Sequence, residues 1–182
     1  MYIEVVKPVA PLESTARTGG ADSAILKKAR SLGLHSSVDL HRLAVARGCR
    51  YYTVEEGQLP PANLSISNAE LAVALLSLAL PPQPMDIRIA AVMLSAPVVE
   101  VSTLTKLAEV EGCAGLVRYI AECGQKYEPS CSFWSDLLQR LRDAKIPDYP
   151  LPHPTRFIEM TGMIRGKTGF FTHWIRPATA NV

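Results

Sequence analysis

Apolar and polar positions recur along this chain with two different periods, and clusters of proline separate the regions where each holds. Between "QLPPANLS" (58–65) and "PDYPLPHP" (147–154), apolar residues return every three or four positions, the spacing of one face of a helix. "SNAELAVALLSLAL" opens with Ser67 as an N-cap and Glu70 three residues later, the spacing of a capping box. The helix that follows is apolar on nearly every side, which predicts a place at the centre of the core. After the turn "PPQP" (81–84), "MDIRIAAVMLSA" (85–96) is again mostly apolar, with Asp86 and Arg88 near its start. "STLTKLAEVEG" offers Ser102 as a cap, Leu104, Leu107 and Ala108 on one face, and Gly112 as terminator. "CAGLVRYIAECG" groups Leu116, Val117, Ile120 and Ala121 and is expected to end at Gly124. "SFWSDLLQRLRDA" (132–144) carries Trp134, Leu138 and Leu141 at i, i+4 and i+7.

The two ends differ from this block. Residues 23–48 predict two helices: "SAILKKARSLG", with Ile25, Ala29 and Leu32 on one face and Gly33 closing it, then "SVDLHRLAVARG", closed by Gly48. "RFIEMTGMI" alternates, with Ile158, Met160 and Ile164 on one face and Glu159 and Thr161 on the other. "FFTHWIR" (170–176) is aromatic and strand-like, and "RGKTG" between the two predicts a β-hairpin. "YIEVV" near the start is a candidate third strand. The pattern therefore predicts a mainly α protein. A five-helix core, either a bundle or a short stack of helical hairpins, follows a small helical segment and precedes a C-terminal β-hairpin. The composition shifts mark 1–63, 64–146 and 147–182 as its three parts. Ser67 and Ser102 open similar helix pairs at a separation close to that of two-helix repeats, although two units do not make a solenoid.

Composition adds bounds. A chain of 182 residues, 48% apolar and 20% charged, can hold one ordinary core. A net charge of +2 is too small to imply nucleic acid or acidic lipid by bulk electrostatics. The middle part is mildly acidic, seven Lys/Arg against nine Asp/Glu, and both ends mildly basic. The most apolar run, Leu71 to Leu80, is about half the length a membrane-spanning helix needs. No basic region followed by an apolar stretch opens the chain, so a secretory signal is not expected and a cytoplasmic location is. Cys49, Cys113, Cys123 and Cys131 are irregularly spaced without a Cys-x-x-Cys pair, which predicts free thiols.

The motif "GMIRGKT" (162–168) ends like a phosphate-binding loop but fails as one. Three residues separate Gly162 from Gly166 where four are needed, and no helix follows Thr168. Lys167 then belongs to a solvated hairpin tip, and no cofactor is expected. The N-terminal helix pair has the Ala29–Gly33 separation of a DNA-binding helix-turn-helix and is locally basic through Lys27, Lys28, Arg30, Arg42, Arg47 and Arg50. Lys28 stands where a core residue should, however, and Asp39 near the start of the second helix would repel phosphate. His35, His41, His153 and His173 have no ligand spacing, so no metal is expected. Glu109, Glu111, Glu122 and Glu128 are candidate catalytic carboxylates but equally suit solvated faces, with Arg118–Glu122 at i,i+4. "YPLPHP" fits a rigid connector better than a proline-rich ligand. The sequence thus points first to a non-catalytic binding or adaptor protein with a protein partner. Second comes a nucleic-acid binder using the basic pair, and third an enzyme with a site assembled from scattered residues.

Overall fold

The computed structural model describes residues 23–51, 59–78, 81–163 and 170–178. Seven α-helices lie among them: α1 (Ala24–Ser31), α2 (Ser37–Ala46), α3 (Asn68–Ser77), α4 (Pro84–Leu94), α5 (Val101–Val110), α6 (Ala114–Tyr127) and α7 (Ser132–Arg140). A single 3-10 turn (Pro154–Phe157) leads into β1 (Ile158–Met163), which pairs antiparallel with β2 (Phe170–Trp174). The mainly helical architecture with a two-stranded hairpin is the one the periodicity predicts. The "YIEVV" strand and the Lys167 tip lie outside the described residues.

Local chemistry sets the helix ends. Ser67 and Glu70 form the capping box of α3. An equivalent box opens α2, where Ser36 accepts the Asp39 N–H and the Asp39 carboxylate accepts the Ser36 N–H. Asp39, read from sequence as a charge that would repel phosphate, is also part of the helix cap. At the other end of α2, Gly48 adopts φ +91°, which lets the Cys49 N–H reach back to the Ala44 carbonyl at 2.9 Å.

Four boundaries or faces differ from the periodic reading. Helix α5 begins at Val101 after Glu100, so Ser102 lies inside the first turn. Helix α6 runs through Gly124 to Tyr127. The reason is packing: a Cβ at Gly124 would lie 2.3 Å from Trp134 Cδ2, so the indole rests directly on the helix backbone. Helix α7 stops at Arg140 and buries Trp134 and Leu137, with Leu138 half-buried; Leu141, its C-cap, is buried as well. On β1, Met160 is 68% exposed, because a two-stranded sheet covers only what its neighbours reach.

Helices α3 and α4 pack against each other at the centre, buried on nearly every face. α1 and α2 lie against α3, and α2 also touches α4. On the other side α5, α6 and α7 surround one another, and β2 closes onto α6. The core is continuous from Ile25 to Ile175. Its aromatic end holds Phe157 stacked on Trp174 at 5.3 Å between centroids, with Trp134 at 4.8 Å from Trp174. The chain after β2 then crosses the molecule. The Ile175 N–H bonds the Phe157 carbonyl at 3.0 Å, Arg176 grips Glu128 through two bonds of 2.7 and 2.6 Å, and the Ala178 N–H bonds the Gly48 carbonyl at 2.9 Å.

Candidate functional site

The basic residues of the helix pair divide into inward and outward groups. Arg47, the C-cap of α2, donates from Nε to the Ala62 carbonyl (2.9 Å), from Nη1 to Asn68 Oδ1 (2.9 Å), and from Nη2 to the Leu64 and Ile66 carbonyls (3.0 and 2.6 Å). Those bonds hold the 62–66 loop over the start of α3. Lys28 donates to both oxygens of Glu70 at 2.8 and 2.9 Å, tying α1 to α3. Arg42 lies 3.7 Å from Asp39. Lys27 and Arg50 are exposed, Arg30 is half-buried, and the apolar side of the pair (Ile25, Ala29, Leu40, Leu43) belongs to the core.

The four candidate carboxylates also take separate roles. Glu109 is exposed, and Glu122 pairs with Arg118 at 3.1 Å as its spacing predicts. Glu111 is only 2% exposed and accepts the Ile25 N–H, 3.4 Å away, at the start of α1. Glu128 accepts from Trp134 Nε1 at 3.0 Å as well as from Arg176. Burial pushes its carboxyl up, but the Arg176 and Trp134 hydrogen bonds and the Arg176 charge outweigh that and hold it below its ordinary value of 4.5.

Sequence reading missed one buried pair. His41 Nε2 and Asp86 Oδ1 meet at 2.6 Å between α2 and the first turn of α4, at 7% and 2% exposure. Each residue occupies an inward position of its helix, but their distance along the chain leaves no local spacing to read. His173 lies across the hairpin from Glu159 at 3.6 Å. Among the described residues, no group of three or more His, Cys, Asp and Glu is arranged to hold a metal ion. None of the four cysteines is in a disulfide; Cys49, Cys113 and Cys123 are buried, and burial lifts the Cys123 thiol to about 11 despite a hydrogen bond from Tyr119 that lowers it. No helix among the described residues is long and apolar enough to cross a membrane.

What the helices and the crossing tail build together is a hollow of about 850 Å³. It lies between the starts of α3 and α5, with the end of α2 and the Pro177–Ala178 segment as its other walls. Its base is apolar and buried: Ile66, Ala69, Ala96 and Val99. The space exists because so many of these side chains stop at Cβ. Its polar groups are largely committed. The Ser67 hydroxyl accepts the Glu70 N–H, Asn68 is bound to Arg47, and the Thr103 hydroxyl donates to Glu100 Oε2 at 3.3 Å. On the rim stands Val98, 79% exposed.

No protein-family model matches this chain, and neither a curated protein nor a solved structure does.

Proposed function

We propose that the chain is a non-catalytic binding or adaptor protein that acts through a protein-partner surface centred on this hollow. The observation that carries the reading is an apolar depression of about 850 Å³, within the usual range of binding pockets, beside a valine that keeps 79% of its surface in water. Removing that surface from water is favourable in proportion to its area, at about 25 cal/mol per Å². The lining holds one carboxylate, that of Glu100, and neither a histidine nor a cysteine, a composition that suits recognition better than proton transfer. Four cysteines outside any disulfide fit a reducing, cytoplasmic setting.

A photoreactive phenylalanine analogue at position 98, in cells, tests this. One discrete adduct is expected, its protein identified by mass spectrometry and its binding reproduced with purified components. The same analogue at Lys106, exposed on α5, serves as the control. Equal yields at the two positions sink the reading.

The second reading is nucleic-acid binding by the helix pair, which the exposure of Lys27 and Arg50 favours. Submicromolar, salt-sensitive duplex binding, lost in Lys27→Ala with Arg50→Ala, would put it first. Arg47 is a poor probe for this purpose, since its guanidinium organises the 62–66 loop.

A further inference from the structure

We propose that the occupant of the hollow is a second copy of this chain, joined through a two-fold contact; this rests on the hollow being a docking surface. Val98 projects from the segment between α4 and α5, on the rim of the same depression whose base is Ile66, Ala69 and Ala96. Knob and hole thus belong to one patch. That is the condition for an isologous interface, in which residue i of one copy meets j of the other and j meets i. A two-fold axis between them seats each Val98 in the other copy's hollow, and the alanines leave room for a branched side chain.

Charge agrees with the shape. The lining carries two charged residues of opposite sign, Arg47 and Glu100. Across a two-fold axis such a patch complements itself, because Glu100 of each copy is brought toward Arg47 of the other. A patch of one sign would repel its own copy. The four hydrogen bonds that Arg47 makes fix its guanidinium in place and leave its charge intact. An unrelated partner would have to supply both the apolar knob and the matched charges, whereas a second copy supplies them by symmetry.

Sedimentation equilibrium of the full chain, from low micromolar to submillimolar concentration, tests the proposal. The wild type should show a reversible monomer–dimer equilibrium. Val98→Asp and Glu100→Arg should each raise its dissociation constant about tenfold or more. Both positions are exposed, so circular dichroism should match the wild type and melting temperature should be unchanged in Val98→Asp, with a small drop in Glu100→Arg, which loses the Thr103 bond at the start of α5. A monomer at every concentration, or a dimer that neither substitution weakens, overturns the proposal. The photoreactive residue at position 98 then separates the two failures. A monomer that still cross-links to a different protein keeps the docking surface and removes only the second copy. A monomer that gives no adduct above the Lys106 control removes both.

Discussion

Gly124 and Arg47 each have a role that their immediate neighbours in sequence do not reveal. A glycine after an apolar-periodic run marks a helix end, and Gly124 has that local signature. Its actual role is set by Trp134, whose ring atoms would lie 2.3 to 2.8 Å from an added Cβ. Alanine is the better helix former by about 1 kcal/mol. Here that gain is set against a clash with a fully buried indole that has little room to withdraw. The clash should prevail. Gly124→Ala is expected to destabilise the protein by about 1–3 kcal/mol in urea unfolding, with a change in tryptophan fluorescence. An unchanged or raised midpoint would show that the indole moves aside at little cost. Arg47 was legible only as one of six cations. That the carbonyls of residues 62, 64 and 66 converge on it depends on how the loop folds back, for which periodicity carries no signal.

Among elements, the helices whose starts are set by adjacent side chains were the most legible. The α3 box is spelled out by Ser67 and Glu70. Helix α5 lacks a side-chain cap, so its start at Val101 leaves no mark, and Ser102 was the nearest residue of the right type. The α1–α2 pair shows a second limit. Its apolar side predicts a cap on the core, and Leu40 and Leu43 are fully buried, but nothing in its pattern shows that His41 reaches Asp86 of α4. Leu40→Ala should therefore cost about 2–5 kcal/mol in global stability, the range for a large aliphatic side chain removed from a packed core. One coincident transition by circular dichroism and tryptophan fluorescence is expected, since both tryptophans belong to the same core as Leu40. Two separate transitions would mean that the pair unfolds on its own. The hollow itself had no sequence signal. It arises where alanines from separate elements face one another, and alanine is equally at home in any helix.

At the scale of the whole molecule, two ion pairs attach outer segments to the core: Lys28–Glu70 for α1 and Arg176–Glu128 for the tail. Burial pushes the Glu70 carboxyl up, but hydrogen bonds from Lys28 and Ser67 outweigh it, so Glu70, like Glu128, lies below its ordinary value of 4.5. A carboxyl depressed in the folded state binds protons more weakly there than when unfolded. Its contribution is therefore complete well above pH 4.5 and is lost as the pH falls toward the folded value. Melting temperature should hold between pH 6 and 7 and decline below about pH 5. The double variant Glu70→Gln with Glu128→Gln should flatten that decline while lowering the plateau. A decline as steep as in the wild type would assign the acid sensitivity to other groups.

The bond from Ala178 to Gly48 also has a meaning in time. A ribosome builds the chain from its N-terminus, so the turn that closes α2 emerges long before the segment that covers it. At about 5–20 residues per second the delay is on the order of ten seconds. Through that interval the end of α2 has no backbone from residue 178 against it, and the hollow lacks one wall. That wall of the hollow is thus completed late in synthesis, after the seven helices among the described residues have been made.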